Sequence, residues 1–587
     1  MKQNMKYRGH IVDVVRREIF DGEVTVTDGR ISRVRPCSLQ DDGGKPLPYL
    51  MPGFIDSHVH IESSMMMPVE FARVAAEHGT IGVIADPHEI ANVLGVEGVD
   101  VMIHSASQAQ FNFLFGAPSC VPALGGDVET NGAIIGSQEI ATLMQREDIG
   151  FLGEMMNFKG VLQGDSEVMA KIAAALAAGK PVDGHAPGLT PEERRCYARA
   201  GVSTDHECTM LGEGRDCIRA GMKFIIREGS AAKDYALLHP LIDEYPDQVM
   251  LCTDDCHADE LVRGHIISIV KRALLDDHDF WNVLQAACCN PQRHYGVNWG
   301  LLQEGDPATF IIVNNTGPFL TVQNTIIRGV EVYSYNLSFG SMSTRRQTIA
   351  DLSSYPNRFC ATPITADDIK LDIHRGDTKH IIRATDRSLY TGHDVVEVTG
   401  DPMKDSHYPW HEVQKVVVHN RYAPSARPVV GLVRGFNIRQ GAIASSVAHD
   451  SHNIVAIGSS DEFIVHAVNR VIEMQGGQVV ITDEEIIEMA LPIAGLISPL
   501  DGHEVAYRCR LLCDMAAKTG CTMKAPFITM AFLCLPVIPE LKITDRCLWD
   551  SRNMAAISCW KCVYIDLEQT TTEEGFLQLV ISHFGGL

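Results

Sequence analysis

Short apolar runs recur through the first half of the chain, and several close on a histidine or an acid. Gly53-Phe54-Ile55-Asp56-Ser57-His58-Val59-His60 is the clearest of them. Met51, Pro52 and Gly53 read as the turn that launches a strand. Side chains alternate along a strand, so His58 and His60 point to one face. Ile149-Gly150-Phe151-Leu152-Gly153 leads to Glu154, and Pro181-Val182-Asp183-Gly184 leads to His185. Gly201-Val202-Ser203-Thr204-Asp205 leads to His206, and Val249-Met250-Leu251-Cys252-Thr253 leads to Asp254 and Asp255. Between these runs lie Ala- and Leu-rich segments with helical spacing, such as Val168 to Leu176 and Leu261 to Leu275. The alternation predicts an α/β fold, a (β/α)8 TIM-type barrel over residues 51–300, with its chemistry at the C-terminal strand ends.

The flanks read differently. Ile11 to Val15 and Glu23 to Val26 read as short strands, with Asp28-Gly29-Arg30 as a hairpin turn. Asp306 to Val313 and Val322 to Val332 read as strands again. Residues 1–50 and 301–345 are thus strand-rich flanks, and 346–550 read as a C-terminal α/β or α+β domain. Residues 551–587 form a tail of unassigned fold, whose Cys559-Trp560-Lys561-Cys562 lacks the second pair that a zinc site needs.

Two imidazoles on one face make a clamp for a transition metal. Each further candidate has a plain alternative. His185 and His206 could be satisfied core histidines, and Glu154 an ion-pair partner. Asp254-Asp255 could cap a helix. These alternatives must all hold together to remove a metal site, and unpartnered buried carboxylates are costly.

The order His-x-His, acid, His, His, Asp resembles the amidohydrolase superfamily. Gly153-Glu154-Met155-Met156 stands where many two-metal members carry a carbamylated lysine. That variant, with His60-Ile61-Glu62-Ser63-Ser64-Met65-Met66 and Ala85-Asp86-Pro87-His88-Glu89-Ile90, resembles the adenine deaminase family. So do Ser446-Val447-Ala448-His449-Asp450-Ser451-His452-Asn453, Leu491 to Leu496 and Leu535 to Leu541, and the resemblance spans roughly residues 7 to 550. It implies that residues 1–50 and 301–345 are the halves of one small β domain. It also implies hydrolysis of free adenine to hypoxanthine and ammonia, in purine salvage or adenine catabolism. It implies two divalent ions, Mn²⁺ first and Fe²⁺ or Zn²⁺ as alternatives, sharing a bridging hydroxide. His58 and His60 would hold one ion near Asp254, His185 and His206 the other, and Glu154 would bridge them. Asp254 would shuttle the proton, with Glu89, Asp86 and Asp255 as further catalytic candidates. Asp86-Pro87 could instead be a helix cap followed by a first-turn proline. His449, Asp450 and His452 read as a buried polar turn, with a contribution to the barrel mouth left open. Thr309, where the superfamily usually carries Asp, reads as a tolerated surface change.

Composition narrows the setting. The chain of 587 residues is long enough for several domains, and its 45% hydrophobic content suffices for a large core. A formal net charge of −24 opposes binding to a phosphate backbone, so no nucleic-acid partner is expected. The 17 cysteines show no framework spacing, and no run reaches the length of a membrane span. A cytoplasmic homo-oligomer acting on a small molecule is expected. His60-Ile61-Glu62 matches half of the cytidine-type zinc signature, but no Pro-Cys-x-x-Cys accompanies it. The rival readings are an amino-sugar deacetylase, a cyclic amidase, or a silent metal-binding protein on the same barrel.

Overall fold

The computed structural model describes residues 4–38, 47–124, 126–335, 355–399 and 408–557. Eight of the described strands form its central unit. They are β1 (Phe54–Val59), β2 (Thr80–Ala85), β3 (Asn112–Ala117), β4 (Ile149–Met155), β5 (Val182–Gly184), β6 (Thr204–Asp205), β7 (Lys223–Arg227) and β8 (Val249–Cys252). β1 to β5 pair in parallel in sequence order, as do β6 to β8. Ser203 N–H joins the two sets by donating to the Val182 carbonyl at 2.8 Å. Asp254 closes the ring onto β1: its N–H donates to the His58 carbonyl, and its own carbonyl accepts from His60 N–H, both at 3.0 Å.

Helices cover this ring, and every residue of β1 and β2 is buried. Ile84, Phe151, Ile225 and Met250 meet in one cluster although they come from β2, β4, β7 and β8. Such contacts across the ring identify inward-facing side chains that plug the barrel. The helix Ser166–Ala177 is capped by Asp165, which accepts from Glu167 and Val168 N–H. The apolar stretch from Leu261 is interrupted. Its long helix runs only over Ile266–Leu275, because His265 takes a non-helical backbone after Gly264.

A seven-stranded sheet joins the two flanks of the barrel. Tyr49–Met51 pairs with Asn4–Asp13 on one side and with Phe310–Val313 on the other. Met51 therefore ends a strand of this sheet, and only Pro52 and Gly53 link it to β1. Asp28 and Gly29 turn the hairpin with φ of 52° and 77°, the left-handed pair that a tight two-residue turn requires. Thr309 corrects the surface reading: it is fully buried, and its Oγ1 accepts from Arg328 N–H at 3.1 Å.

The C-terminal domain is α+β. Its eight-stranded sheet is antiparallel except where Thr378–Arg383 pairs with Val429–Arg434, and the helices Asp461–Glu473 and Gly502–Lys518 accompany it. It docks on the barrel through Ser498 N–H to the Met65 carbonyl at 2.9 Å and Asn453 Nδ2 to the Thr130 carbonyl at 3.0 Å. Ala555–Ile557, at the start of the tail, adds a strand to Leu548–Asp550. Cys559 and Cys562 lie outside the described residues.

Candidate metal centre

Glu154, the penultimate residue of β4, stands at the centre of a ring of imidazoles. Its Oε2 lies 2.9 Å from His185 Nδ1, 3.2 Å from His206 Nε2 and 3.8 Å from His58 Nε2. Its Oε1 lies 3.4 Å from His60 Nε2. These residues arrive from β1, β4, β5 and β6, each at or just past its strand's C-terminal end, and all are buried. His58 and His60 do share a face, with their Nε2 atoms 3.2 Å apart. His60 Nδ1 meets the Asp86 carbonyl at 3.0 Å, which fixes the ring and turns Nε2 inward.

Asp254 follows β8, and its Oδ1 lies 3.1 Å from His60 Nε2 and 3.4 Å from His58 Nε2. Its Oδ2 accepts from Arg227 Nη1 at 3.0 Å. Strand alternation does not separate Asp254 from Asp255. The strand has ended at Cys252, and Asp254 has a left-handed φ of 55°. Both acids line the cleft, but Asp255 Oδ1 accepts from Ser63 Oγ at 2.5 Å while Asp254 faces the histidines. Neither caps a helix, since the next one begins at Ala258 with His257 before it.

Charge follows from this packing. Burial alone would raise both carboxyls, but His185, His206 and His60 hold Glu154 well below the usual carboxylate range. His58, His60 and Arg227 do the same for Asp254. Asp255 is shifted upward by burial and by the charge of Asp254.

The helix-cap reading of Asp86 is corrected. The helix His88–Leu94 is preceded by Pro87 and has no side-chain cap. Asp86 Oδ2 accepts instead from Glu154 N–H at 2.9 Å, behind the cleft. A Cβ on Gly153 would come within 2.5–2.7 Å of that carboxylate. Gly153→Ala is therefore expected to lower turnover by the roughly 10–100-fold typical of disturbed supporting groups. Steady-state rates beside a melting curve check it; unchanged rates would show that Asp86 does not position Glu154.

Glu89 lines the cleft, and the buried polar turn that carries His449 and His452 also contributes to the barrel mouth, the possibility that the sequence left open. His452 Nε2 meets Glu89 Oε2 at 2.6 Å, and His449 Nδ1 meets Glu89 Oε1. The C-terminal domain thus reaches into the barrel mouth. Sequence reasoning also missed His88, Glu207 and Arg227, which line the same cleft. Arg227 pairs with Glu207, Asp234 and Asp254 at the end of β7. The available signal was a charged residue closing the apolar run Phe224-Ile225-Ile226.

The residues fit divalent cations. His58, His60 and Glu154 form one close group, and Glu154, His185 and His206 form another, so Glu154 belongs to both. Buried His58 Nδ1, His185 Nε2 and both nitrogens of His206 have no hydrogen-bond partner. His206 Nε2 is near Glu154 yet makes no hydrogen bond to it. Imidazoles and a shared carboxylate converging in a dry site, with several ring nitrogens left unpaired, match the demands of a bound ion.

Residues 49–332 match the family model described as the amidohydrolase family, and residues 388–555 match that of the adenine deaminase C-terminal domain. The adenine deaminase of Salinibacter ruber is 46% identical over 551 residues, covering 94% of this chain and 98% of that one. That of Methanosarcina mazei is 43% identical over 563 residues, covering 93% and 97%. That of Borreliella burgdorferi is 39% identical over 551 residues, covering 93% and 98%.

Proposed function

The chain belongs to the adenine deaminase family of amidohydrolases, and from that premise we infer that it hydrolyses free adenine to hypoxanthine and ammonia. The observation that carries the reading is Glu154, a carboxylate shared by two histidine pairs beneath a cleft that the C-terminal domain completes. Two divalent ions there would supply Lewis acidity and a water ionised near neutral pH. His58 and His60 would hold one ion and His185 and His206 the other, with Glu154 between them. Mn²⁺ suits this mixture of imidazole and carboxylate, as Fe²⁺ and Zn²⁺ also do.

The chain's own groups account for the proton movements. Asp254, braced by Arg227, takes the proton of the attacking water and returns it to the departing amine. We assign to Glu89, on the cleft wall, a contact to a ring nitrogen. Asp86 acts through the backbone of Glu154, as a positioning residue. The net charge of −24 fits a free base better than a base within a polynucleotide. Among the described residues no helix is long and apolar enough to cross a membrane. We assign the activity to the cytoplasm, in purine salvage.

Ammonia release from adenine, measured beside amide substrates, tests the reaction. Turnover of an N-acetyl amino sugar or a cyclic amide, without turnover of adenine, would replace it. Elemental analysis is expected to find two ions per chain, and chelation to abolish activity that Mn²⁺ restores. One ion per fully active chain would remove the two-ion reading.

A further inference from the structure

The cleft has a second polar end, supplied by the C-terminal domain. Asp450 lines it, is 2% exposed, and its Oδ2 has no hydrogen-bond partner. A buried acceptor left unpaired costs about 1–3 kcal/mol, so a donor that enters the cleft and satisfies it gains affinity. The turn that carries Asp450 is fixed on several sides. His449 and His452 grip the two oxygens of Glu89. Ala448 N–H donates to His452 Nδ1 at 3.2 Å, and Phe532 stacks on the His449 ring at 4.4 Å with 9° between the planes. Asp450 is thus presented to the cleft in one place.

His88 marks its position relative to the metal residues. The His88 Nδ1 lies 3.6 Å from Glu154 Oε1, and its Nε2 lies 4.0 Å from Asp450 Oδ2. Asp450 therefore stands one imidazole beyond the reacting end. Adenine offers matching chemistry. Its C6 must face the metal residues, and its N9–H donor lies on the edge away from C6. Leu389, Leu535 and Ile538 add apolar wall to the cleft, suited to the faces of a flat ring.

We propose that Asp450 accepts the N9–H of free adenine and so selects the free base against N9-substituted purines such as nucleosides. The proposal rests on the adenine reading above. A site built to pair a donor discriminates strongly against an analogue without it, because its own polar group is then left unpaired.

The test compares kcat/KM for adenine and 9-methyladenine in the Mn²⁺-loaded full-length protein, with metal content measured for each variant. Wild type is expected to favour adenine by at least ~10²-fold. Asp450→Ala is expected to lower kcat/KM for adenine by roughly 10–150-fold, the loss of one hydrogen bond to a charged group, mainly through KM. Its rate with 9-methyladenine should change little, so the preference narrows. Asp450→Asn keeps a carbonyl oxygen and should retain part of the preference. An unchanged adenine to 9-methyladenine ratio in Asp450→Ala overturns the proposal. Should both variants fail to fold, competition on wild type decides: 9-methyladenine inhibiting as tightly as adenine binds also overturns it. Wild type inactive on adenine strikes the underlying reaction instead, which keeps the two failures distinct.

Discussion

Glu154→Ala is expected to lose bound metal and deaminase activity together, by more than the roughly 10–100-fold that removal of a supporting group costs. Glu154 is the carboxylate common to the His58–His60 group and the His185–His206 group. Its removal leaves buried imidazoles facing one another without the charge that holds them. Glu154 is also anchored at its backbone by Asp86, so the substitution deletes the ligand without unmaking the strand end that presents it. Metal content, turnover and a melting curve on one preparation check this. A purely structural acid would give lower stability with normal turnover in the remaining folded fraction. A fully active variant holding both ions would falsify the assignment.

Asp254→Asn is expected to keep much of its metal and lose kcat by roughly 10²–10⁴-fold, the usual effect of removing a proton shuttle. Asparagine preserves an oxygen that can face His58 and His60 but cannot carry the proton. The structure adds a reason for the placement of Asp254. Arg227 donates to Oδ2, leaving Oδ1 turned toward the histidines. Asp255→Asn should be milder and act partly through KM, because Asp255, itself on the cleft wall, bonds Ser63 rather than meeting the imidazoles. Stopped or steady-state kinetics on both variants decide the matter. An inactive Asp255→Asn beside a nearly normal Asp254→Asn would reverse the two roles.

Much of this arrangement is legible in the amino-acid sequence. The apolar runs ending in His58, His60, Glu154, His185, His206 and Asp254 carry two signals at once, period and chemistry. A parallel strand buried on both faces must be continuously apolar, and a barrel gathers its strand ends at one rim. Local pattern therefore suffices to bring those residues together. The hairpin at Asp28-Gly29 is legible for a similar reason, since few residues tolerate its backbone angles.

Other features depend on contacts between segments far apart in sequence. Glu89 meets His449 and His452 across more than three hundred residues, and no periodicity in either segment encodes that pairing. Asp86 resembles a helix cap because the residues around it suit one; Glu154 N–H competes for the same carboxylate and wins. Thr309 reads as superficial because it stands where the superfamily usually carries Asp, whereas its neighbours in space bury it. Arg227 and Glu207 enter the cleft as a buried ion pair, which only a shared dry environment can define. By itself the sequence determined the barrel, its rim of metal-type residues and the family. Tertiary structure alone decided which acid each histidine meets and that a second domain completes the cleft, because burial and long-range pairing are properties of the packed chain.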